Sequence, residues 1–353
     1  MPVHTLPAPE ALRRLADFDS VIDARTEDEY ALDHLPGALN WPTLNNAERI
    51  EIGTLYKQVN PFEAKKRGAA LSARNIAAHI ERAVLDKPKH WRPLVYCWRG
   101  GNRSGALATI LGAIGFQVTL IEGGYKAWRA ALVQDLPERV RPLRWQVLCG
   151  PTGSGKTRLL HALAAQGAQV LDLEALAQHR SSVLGHLPGV SQPSQKRFES
   201  LIWHTLHRMN PAQPVFVECE SKKVGNLRVP DTLMEAMRQS PCMDLQLPLA
   251  ERVALLLADY AYFVQNPAYF CRRLEALTAR RGRAVVHSWV EQVNQGQFAA
   301  VVQALLTEHY DPMYAQSISR NFSQFAQALP CPLAEASDPA LRAAAHELIK
   351  RCA

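Results

Sequence analysis

Residues 96–105 read YCWRGGNRSG, and residues 149–158 read CGPTGSGKTR. The first stretch sets one thiol, Cys97, at the head of a loop made of Trp98, Arg99, Gly100, Gly101, Asn102, Arg103 and Ser104. Glycines let backbone N–H groups turn toward one point and form an anion nest. A helix that follows aims its positive end at the same point. Arg99 and Arg103 add charge, with one of the two expected to face inward. A free cysteine has a pKa of ~8.5, and such surroundings lower it to about 3.5–7.5, which makes a thiolate nucleophile at neutral pH. The competing reading, a cysteine buried for packing in a tight turn, leaves the flanking arginines without a purpose. In the second stretch, Gly150 to Thr157 matches G-x-x-x-x-G-K-T. Gly150, Gly153, Ser154 and Gly155 open the backbone to phosphate oxygens, Lys156 supplies a point charge, and Thr157 is a candidate magnesium ligand. The motif specifies phosphates but no nucleotide, and no guanine-reading Asn-Lys-x-Asp follows it.

Both stretches need a strand to deliver them and a helix to receive them. RPLVYC reads as a strand that carries Cys97 to its carboxyl end, and RSGALATILGAIGF as a helix starting near Arg103. QVTLIEGGYKAW reads as a strand, a Gly123-Gly124 turn and a helix. Upstream, an apolar run ends at Asp23-Ala24-Arg25, followed by a polar helical stretch and a Pro36-Gly37 turn. Strands alternating with helices predict a parallel sheet with its ligand beyond the strand carboxyl ends. Residues 45–80 predict a long, mostly helical segment, more polar and basic than the sheet requires, that covers the active site or meets the second domain. QDLPERVRPLR (134–144) is charged and broken by prolines, so it marks the boundary. The fold class is α/β: a parallel-sheet domain over 1–136 and a P-loop NTPase-like α/β domain over 143–353, the latter with a helical C-terminal part. In the second domain WQVLCG is a strand leading into the P-loop. PVFVECES is a strand ending in Glu218 and Glu220, which are either the acidic, magnesium-facing strand of a P-loop enzyme or polar residues at a strand exit.

The 353 residues are 47% hydrophobic and 21% charged, enough apolar material for two cores. No run approaches the ~20 apolar residues that span a bilayer, and the first fifteen residues lack an apolar signal core, so a cytoplasmic location without a membrane partner is expected. Seven scattered cysteines without a CxxC pair argue against a disulfide framework and a zinc ribbon; all but Cys97 read as reduced, small apolar residues, and no metal site is certain. Forty lysines and arginines against 33 acids give a net charge of +7, which permits a polyanionic partner. Arg272, Arg273, Arg280, Arg281 and Arg283 cluster, either as an RNA-backbone contact or as a solvated helix face.

VIDARTEDEYALDHLPGALN and IEGGYKAW resemble the rhodanese family, which implies that Cys97 carries a chalcogen as a persulfide-like adduct. The spacing Cys97 to Arg103 is Cys-x5-Arg where single-domain rhodaneses have Cys-x4-Arg. The longer loop resembles dual-specificity phosphatases on this fold and suits a tetrahedral anion. Over the whole chain, GTLYKQVNPFEAKKRGAALSARNIA, SQKRFESLIW and VECESKKVGNLRVP, together with the two loops, resemble the bacterial tRNA 2-selenouridine synthase family. That resemblance implies a tRNA partner carrying 2-thiouridine at the wobble position, which is S-geranylated and then exchanged for 2-selenouridine. The implied substrates are geranyl diphosphate, assigned here to the P-loop, and selenophosphate, whose selenium Cys97 would take as a selanylsulfide. A selenophosphate supply enzyme is an implied partner; no tightly bound cofactor is expected, and magnesium is a candidate. Trp203, Phe263 and Tyr269 are candidates for the geranyl pocket, with core packing the competing role.

Three other readings use the same residues. A phosphatase would need only Cys97 and Arg103. A P-loop kinase with an inactive rhodanese module would turn over ATP without Cys97. A tRNA-binding sulfur carrier would transfer sulfur from thiosulfate or a persulfide with no preference for selenophosphate.

Overall fold

The computed structural model describes residues 3–182, 184–185 and 188–352. The chain forms two units, Met1–Glu138 with Ser194–His204, and Arg139–Pro193 with Thr205–Ala353.

The first unit is built on β1 (His4–Leu6), β2 (Ser20–Asp23), β3 (Ala38–Asn40), β4 (Pro93–Tyr96) and β5 (Thr119–Ile121). They lie in the order β1-β5-β4-β2-β3, all parallel. All four residues of β4 are buried, as a central strand covered on both faces requires. Its register pairs Asp23 with Tyr96, so the carboxyl ends of β2 and β4 are level. Helix starts follow capping chemistry. Thr26 and Glu29 form a capping box for Glu27–Leu32, as do Asn45 and Glu48 for Asn46–Gln58. Asn60 caps Pro61–Ala83, with Pro61 at the first helical position. The expected helical segment is therefore a hairpin of two helices inserted between β3 and β4.

The division between the units falls after Glu138, inside the charged stretch 134–144, and the first part of that stretch is helical: one helix runs Gly124–Val140 with Pro137 inside it. The expectation that 143–353 forms one domain needs correction, because most of the helix Gln195–His207 belongs to the first unit. Arg129 pairs with Glu199, and Arg197 donates to His34 O at 3.1 Å. Trp203, fully buried, meets Trp128 edge-on at 6.4 Å and donates its indole N–H to Asp135 at 2.8 Å.

The second unit holds β6 (Arg144–Cys149), β7 (Gln169–Leu171), β8 (Pro214–Glu218), a two-stranded hairpin of β9 (Lys223–Val224) and β10 (Leu227–Arg228), β11 (Cys242–Gln246) and β12 (Leu329–Pro332). The main sheet is parallel in the order β12-β11-β6-β8-β7. The helices Lys156–Ala165 and Asp338–Cys352 cover it through Leu159, Leu163, Leu341 and Leu348. A separate helical cluster packs around Phe263, Phe270, Trp289 and Val301. Among the described residues no helix is long and apolar enough to cross a membrane.

Trp203 fills the core of the first unit, so Trp203→Ala should cost that unit about 3–5 kcal/mol. Hydrogen exchange should show faster opening of the β4 amides, with those of β6 unchanged; equal protection of β4 in both proteins would show that the segment is not part of this core.

Candidate active sites

Cys97 follows β4 at the carboxyl rim of its sheet. Its loop is held in place from outside. Tyr125 N–H donates to Cys97 O at 2.8 Å, and Lys126 N–H to Trp98 O at 3.0 Å. This approach explains the Gly-Gly turn: Gly124 has φ +60°, and a Cβ there would run into Cys97 O and Gly100 N. Trp98 stacks on Tyr125 at 5.4 Å. Beneath the loop, Arg25 and Asp23 form a buried bidentate pair with a closest distance of 2.6 Å. Tyr96 donates its hydroxyl to the same carboxylate at 2.7 Å, and the Arg25 guanidinium lies 4.0 Å from the Tyr125 ring centre.

The thiol itself is buried, and burial alone would push its pKa up. The hydrogen bond from Ser104 Oγ at 3.1 Å overrides this, aided by backbone N–H groups of Ser104 and Gly101 and the charge of Arg103. Gly101 N–H lies 3.3 Å from Sγ, and the net pKa is lowered. The helix Asn102–Ile114 begins directly behind it, with Asn102 exposed at its first turn. The two arginines differ. Arg99 is exposed. Arg103 is largely buried and grips Glu29 with both guanidinium nitrogens, at 2.5 and 3.3 Å. Burial raises the Glu29 pKa, but Arg103 more than reverses this. Glu29 lies in the stretch that carries the rhodanese resemblance but is not singled out by it, since its partner is 74 positions away.

The P-loop lies at the carboxyl rim of the second sheet. Gly150, Gly153 and Gly155 all have positive φ, at +146°, +78° and +85°. A Cβ on Gly150 would come within 2.5 Å of Ser154 Oγ, and one on Gly153 within 3.0 Å of Leu256. Ser154 is fully buried, and Lys156 Nζ donates to Gly150 O at 2.8 Å and Pro151 O at 3.2 Å. Two further residues hold the loop. Arg252 donates to Thr152 O at 2.7 Å and pairs with Asp311 at 2.6 Å, while Tyr314 Oη accepts from Gly150 N–H at 2.7 Å. Neither has a local sequence signature, since both approach from distant helices.

Glu218 and Glu220 are both buried at the exit of β8. Burial, reinforced by the nearby Glu174 carboxylate, pushes Glu218 up to about 8, although Lys156 and the Thr157 hydroxyl act against it. Burial and the same carboxylates raise Glu220 further. Glu218 Oε1 is buried with no hydrogen-bond partner. An orphaned carboxylate oxygen beside Thr157 and the P-loop has the donor chemistry of a magnesium ligand. Among the described residues no group of three histidines, cysteines or acids forms a metal cluster.

The cysteines are not all inert. Cys149 hydrogen-bonds to Cys219, which brings the Cys219 thiol down to about 7 against its burial, with help from Lys156 and the Gly150 N–H. Cys149 and Cys219, 70 positions apart in sequence, meet through the pairing of β6 with β8.

Beside the P-loop is a small, largely apolar cleft of about 50 Å³. Thr152 of the loop lies at its wall, with Leu256, Phe263 and Phe270, and Leu305, Leu306 and Tyr310 from a π-helical turn. Of the three aromatic candidates, Phe263 lines the cleft. Tyr269 packs against Phe263 at 5.5 Å without lining it, and Trp203 is core of the other unit. The five arginines do not share one helix face. They are divided among Pro267–Glu275, Thr278–Arg281 and Arg283–Asn294, with Gly282 breaking the path at φ +83°. Arg272, Arg280 and Arg283 are exposed, whereas Arg273 and Arg281 are partly buried, the latter donating to His309 at 3.0 Å.

The lowered thiol has a testable pH signature. Alkylation by iodoacetamide requires the thiolate, so its rate at Cys97 climbs with pH and levels off above the thiol pKa. In the wild type the midpoint should fall below the ~8.5 of a free cysteine; Ser104→Ala removes a stabilising donor and should move it upward. Peptide mapping isolates Cys97 from the other thiols, and identical midpoints would refute the role given to Ser104.

Residues 8–131 match the model of the rhodanese-like domain, and residues 143–276 that of the tRNA 2-selenouridine synthase AAA domain. A tRNA 2-selenouridine synthase of Nitrosomonas europaea is 38% identical over 68% of this chain, a match that spans 63% of that protein, a little under two thirds. Its counterpart in Alcanivorax borkumensis is 33% identical over 85% of this chain and 90% of its own length. That of Marinobacter nauticus is 30% identical over 85% and 88% respectively. With both domains matched in order and relatives aligned over nearly their full length, the chain belongs to the tRNA 2-selenouridine synthase family.

Proposed function

We propose that the protein converts 2-thiouridine at the wobble position of tRNA to 2-selenouridine in two steps, by way of S-geranyl-2-thiouridine. The observation that carries the assignment of the first step is the apolar cleft with P-loop residue Thr152 at its wall. A nucleotide needs polar partners for its base and ribose. A prenyl diphosphate needs a phosphate cradle beside an apolar surface, and a small apolar cleft next to the phosphate loop supports that reading. The diphosphate lies against the P-loop N–H groups and Lys156, and the ten-carbon chain lies along Leu256, Phe263 and Phe270. The thiocarbonyl sulfur attacks C1 of the geranyl group, the C1–O bond breaks, diphosphate leaves and the N3 proton is released. Glu218 and Thr157 would hold a magnesium ion, which neutralises the leaving diphosphate. Preorganised donors around that charge lower the barrier without ATP hydrolysis.

The second step uses the Cys97 nest. S-geranylation turns a poor leaving group into a geranylthiolate on an isothiourea-like carbon. Electron balance constrains how selenium arrives. Were Cys97 to take selenium as a selanylsulfide, selenium would be oxidised from selenide and phosphorus released as phosphite. Selenium stays at the selenide level if the nest holds the phosphoryl group instead, which is the tetrahedral anion that the longer loop suits. The Cys97 thiolate then attacks phosphorus, the P–Se bond breaks, and hydrogen selenide anion adds to C2 and expels geranylthiolate. Net proton uptake yields geranylthiol and N3-protonated 2-selenouridine. Water then cleaves the phosphocysteine to phosphate. Arg272, Arg280 and Arg283, exposed and without ion pairs among the described residues, are available to the tRNA backbone.

The two steps separate by mutation. With thiolated tRNA, geranyl diphosphate and selenophosphate supplied, Cys97→Ala should accumulate S-geranyl-2-thiouridine and form no 2-selenouridine, as read by nucleoside mass spectrometry. Lys156→Ala should slow geranylation by about tenfold or more, in line with a lost charge-assisted contact of ~1.5–3 kcal/mol, yet still selenate tRNA that is already geranylated. Phosphorus NMR should find phosphate as the product. Phosphite would replace the phosphocysteine route with selanylsulfide transfer, and selenation by Cys97→Ala would remove the thiol from the reaction.

A further inference from the structure

The helical hairpin inserted between β3 and β4 packs its base into the core through Ile76, while its free end has an unusual surface. Helices Asn46–Gln58 and Pro61–Ala83 pack on each other closely enough that Gly68 lies against Ile52. Every residue from 56 to 62 is exposed. Among them Tyr56 is 57%, Val59 61% and Phe62 67% exposed, and Ile50 on the first helix is 71% exposed. The aromatics are interleaved with cations. Between residues 46 and 74 there are six lysines and arginines and three glutamates. The three glutamates are all engaged: Glu63 with Lys66 at 2.7 Å, Glu51 with Arg67 at 2.7 Å, and Glu48 with Arg74 at 2.8 Å. Arg49, Lys57 and Lys65 have no ion pair among the described residues and are exposed. Lys66 also lies over the Phe62 ring at 5.0 Å.

The base of the hairpin is tied to the active rim. The chain enters it directly from the carboxyl end of β3. Asp28 N–H donates to Asn46 Oδ1 at 3.1 Å, and Asn46 N–H to Glu27 at 3.0 Å, on the short helix that also carries Glu29, the partner of Arg103. Thirteen helical residues extend about 20 Å, so the tip stands roughly that far along the hairpin from the rim.

We propose that this tip is the docking surface for a single-stranded RNA loop, with bases stacking on Tyr56 and Phe62 and phosphates meeting Arg49, Lys57 and Lys65. Exposed aromatic rings among unpaired cations are the combination that binds unpaired nucleotides independently of sequence. A protein partner would be served by the apolar residues but not by the surplus of cations. The inference rests on the tRNA reading above and adds to it the surface that receives the anticodon loop.

The test uses a fluorescent anticodon stem-loop RNA carrying 2-thiouridine at the wobble position. Tyr56→Ser with Phe62→Ser should weaken its binding by about 5- to 100-fold for each stacked base lost. Arg49→Ala, Lys57→Ala and Lys65→Ala together should weaken binding and flatten the log–log salt dependence by about 0.7 for each contact removed. The residues are exposed, so circular dichroism melting should match the wild type. Both variants should keep kcat at saturating tRNA while KM rises. Unchanged affinity and salt slope overturn the proposal. So does a sedimentation shift from a larger species to monomer in the serine variant with RNA affinity intact, which would make the tip a self-association surface. If the wild type converts no thiolated tRNA, the functional reading fails; if it does and the variants keep its KM, only the docking surface fails.

Discussion

The buried Asp23–Arg25 pair fixes the first unit around itself. Two charges withdrawn from water are tolerated only when their remaining hydrogen-bonding capacity is filled. Here the carboxylate takes the Arg25 side chain, the Arg25 N–H and the Tyr96 hydroxyl. The guanidinium donates onward to Asp33 O at 2.6 Å and faces the Tyr125 ring. Asp33 accepts from both Tyr125 Oη at 2.7 Å and Ser200 Oγ at 3.0 Å. Tyr125 N–H in turn holds Cys97 O. One connected network therefore sets the strand carrying the thiol, the turn that pins its loop and the segment 194–204. Removing either Asp23 or Arg25 leaves an unpaired buried charge, at a cost of several kcal/mol, so the position of Cys97 depends on residues far from it in sequence.

The two anion sites solve one problem in different ways. Each is a strand, a glycine-containing turn and a helix at the carboxyl rim of a parallel sheet, where backbone N–H groups and the helix terminus converge. They differ in what is placed at the focus. In the first unit it is a thiol, so the surrounding donors stabilise a nucleophile, and Arg103 is tempered by Glu29. In the second it is Lys156, so the loop favours phosphate groups, with the orphaned Glu218 carboxylate close by. The first focus suits attack on a bound group; the second suits stabilising a group that leaves.

The short-range parts of this design were legible in the sequence. Cys97 with its glycines, the Gly150 to Thr157 turn, the strand PLVY and the helical character of residues 45–80 all depend on neighbours within a few residues. What the sequence concealed depends on long-range pairing. The grip of Glu29 on Arg103, the approach of Arg252 and Tyr314 to the P-loop and the contact of Cys149 with Cys219 arise only once sheets and helices are assembled. Pro137 stands beside the division between the units without ending its helix. A proline removes one helical hydrogen bond, but burial of Trp128, Leu132, Leu136 and Val140 keeps the helix running through it. The arginine cluster is divided by the glycine at 282, so it does not form the single face that it suggests in sequence.

The segment 194–204 bears on why thiol and P-loop share a chain. It is encoded within the second domain, yet Ser200 closes the Asp33–Tyr125 network and Trp203 completes the core beneath it. The helix containing it continues to His207, and from Thr205 onward its residues belong to the P-loop unit. The core and the buried network that hold the Cys97 loop are thus completed by residues that follow the P-loop in the sequence, so a chain cut before residue 194 would lack both Ser200 and Trp203.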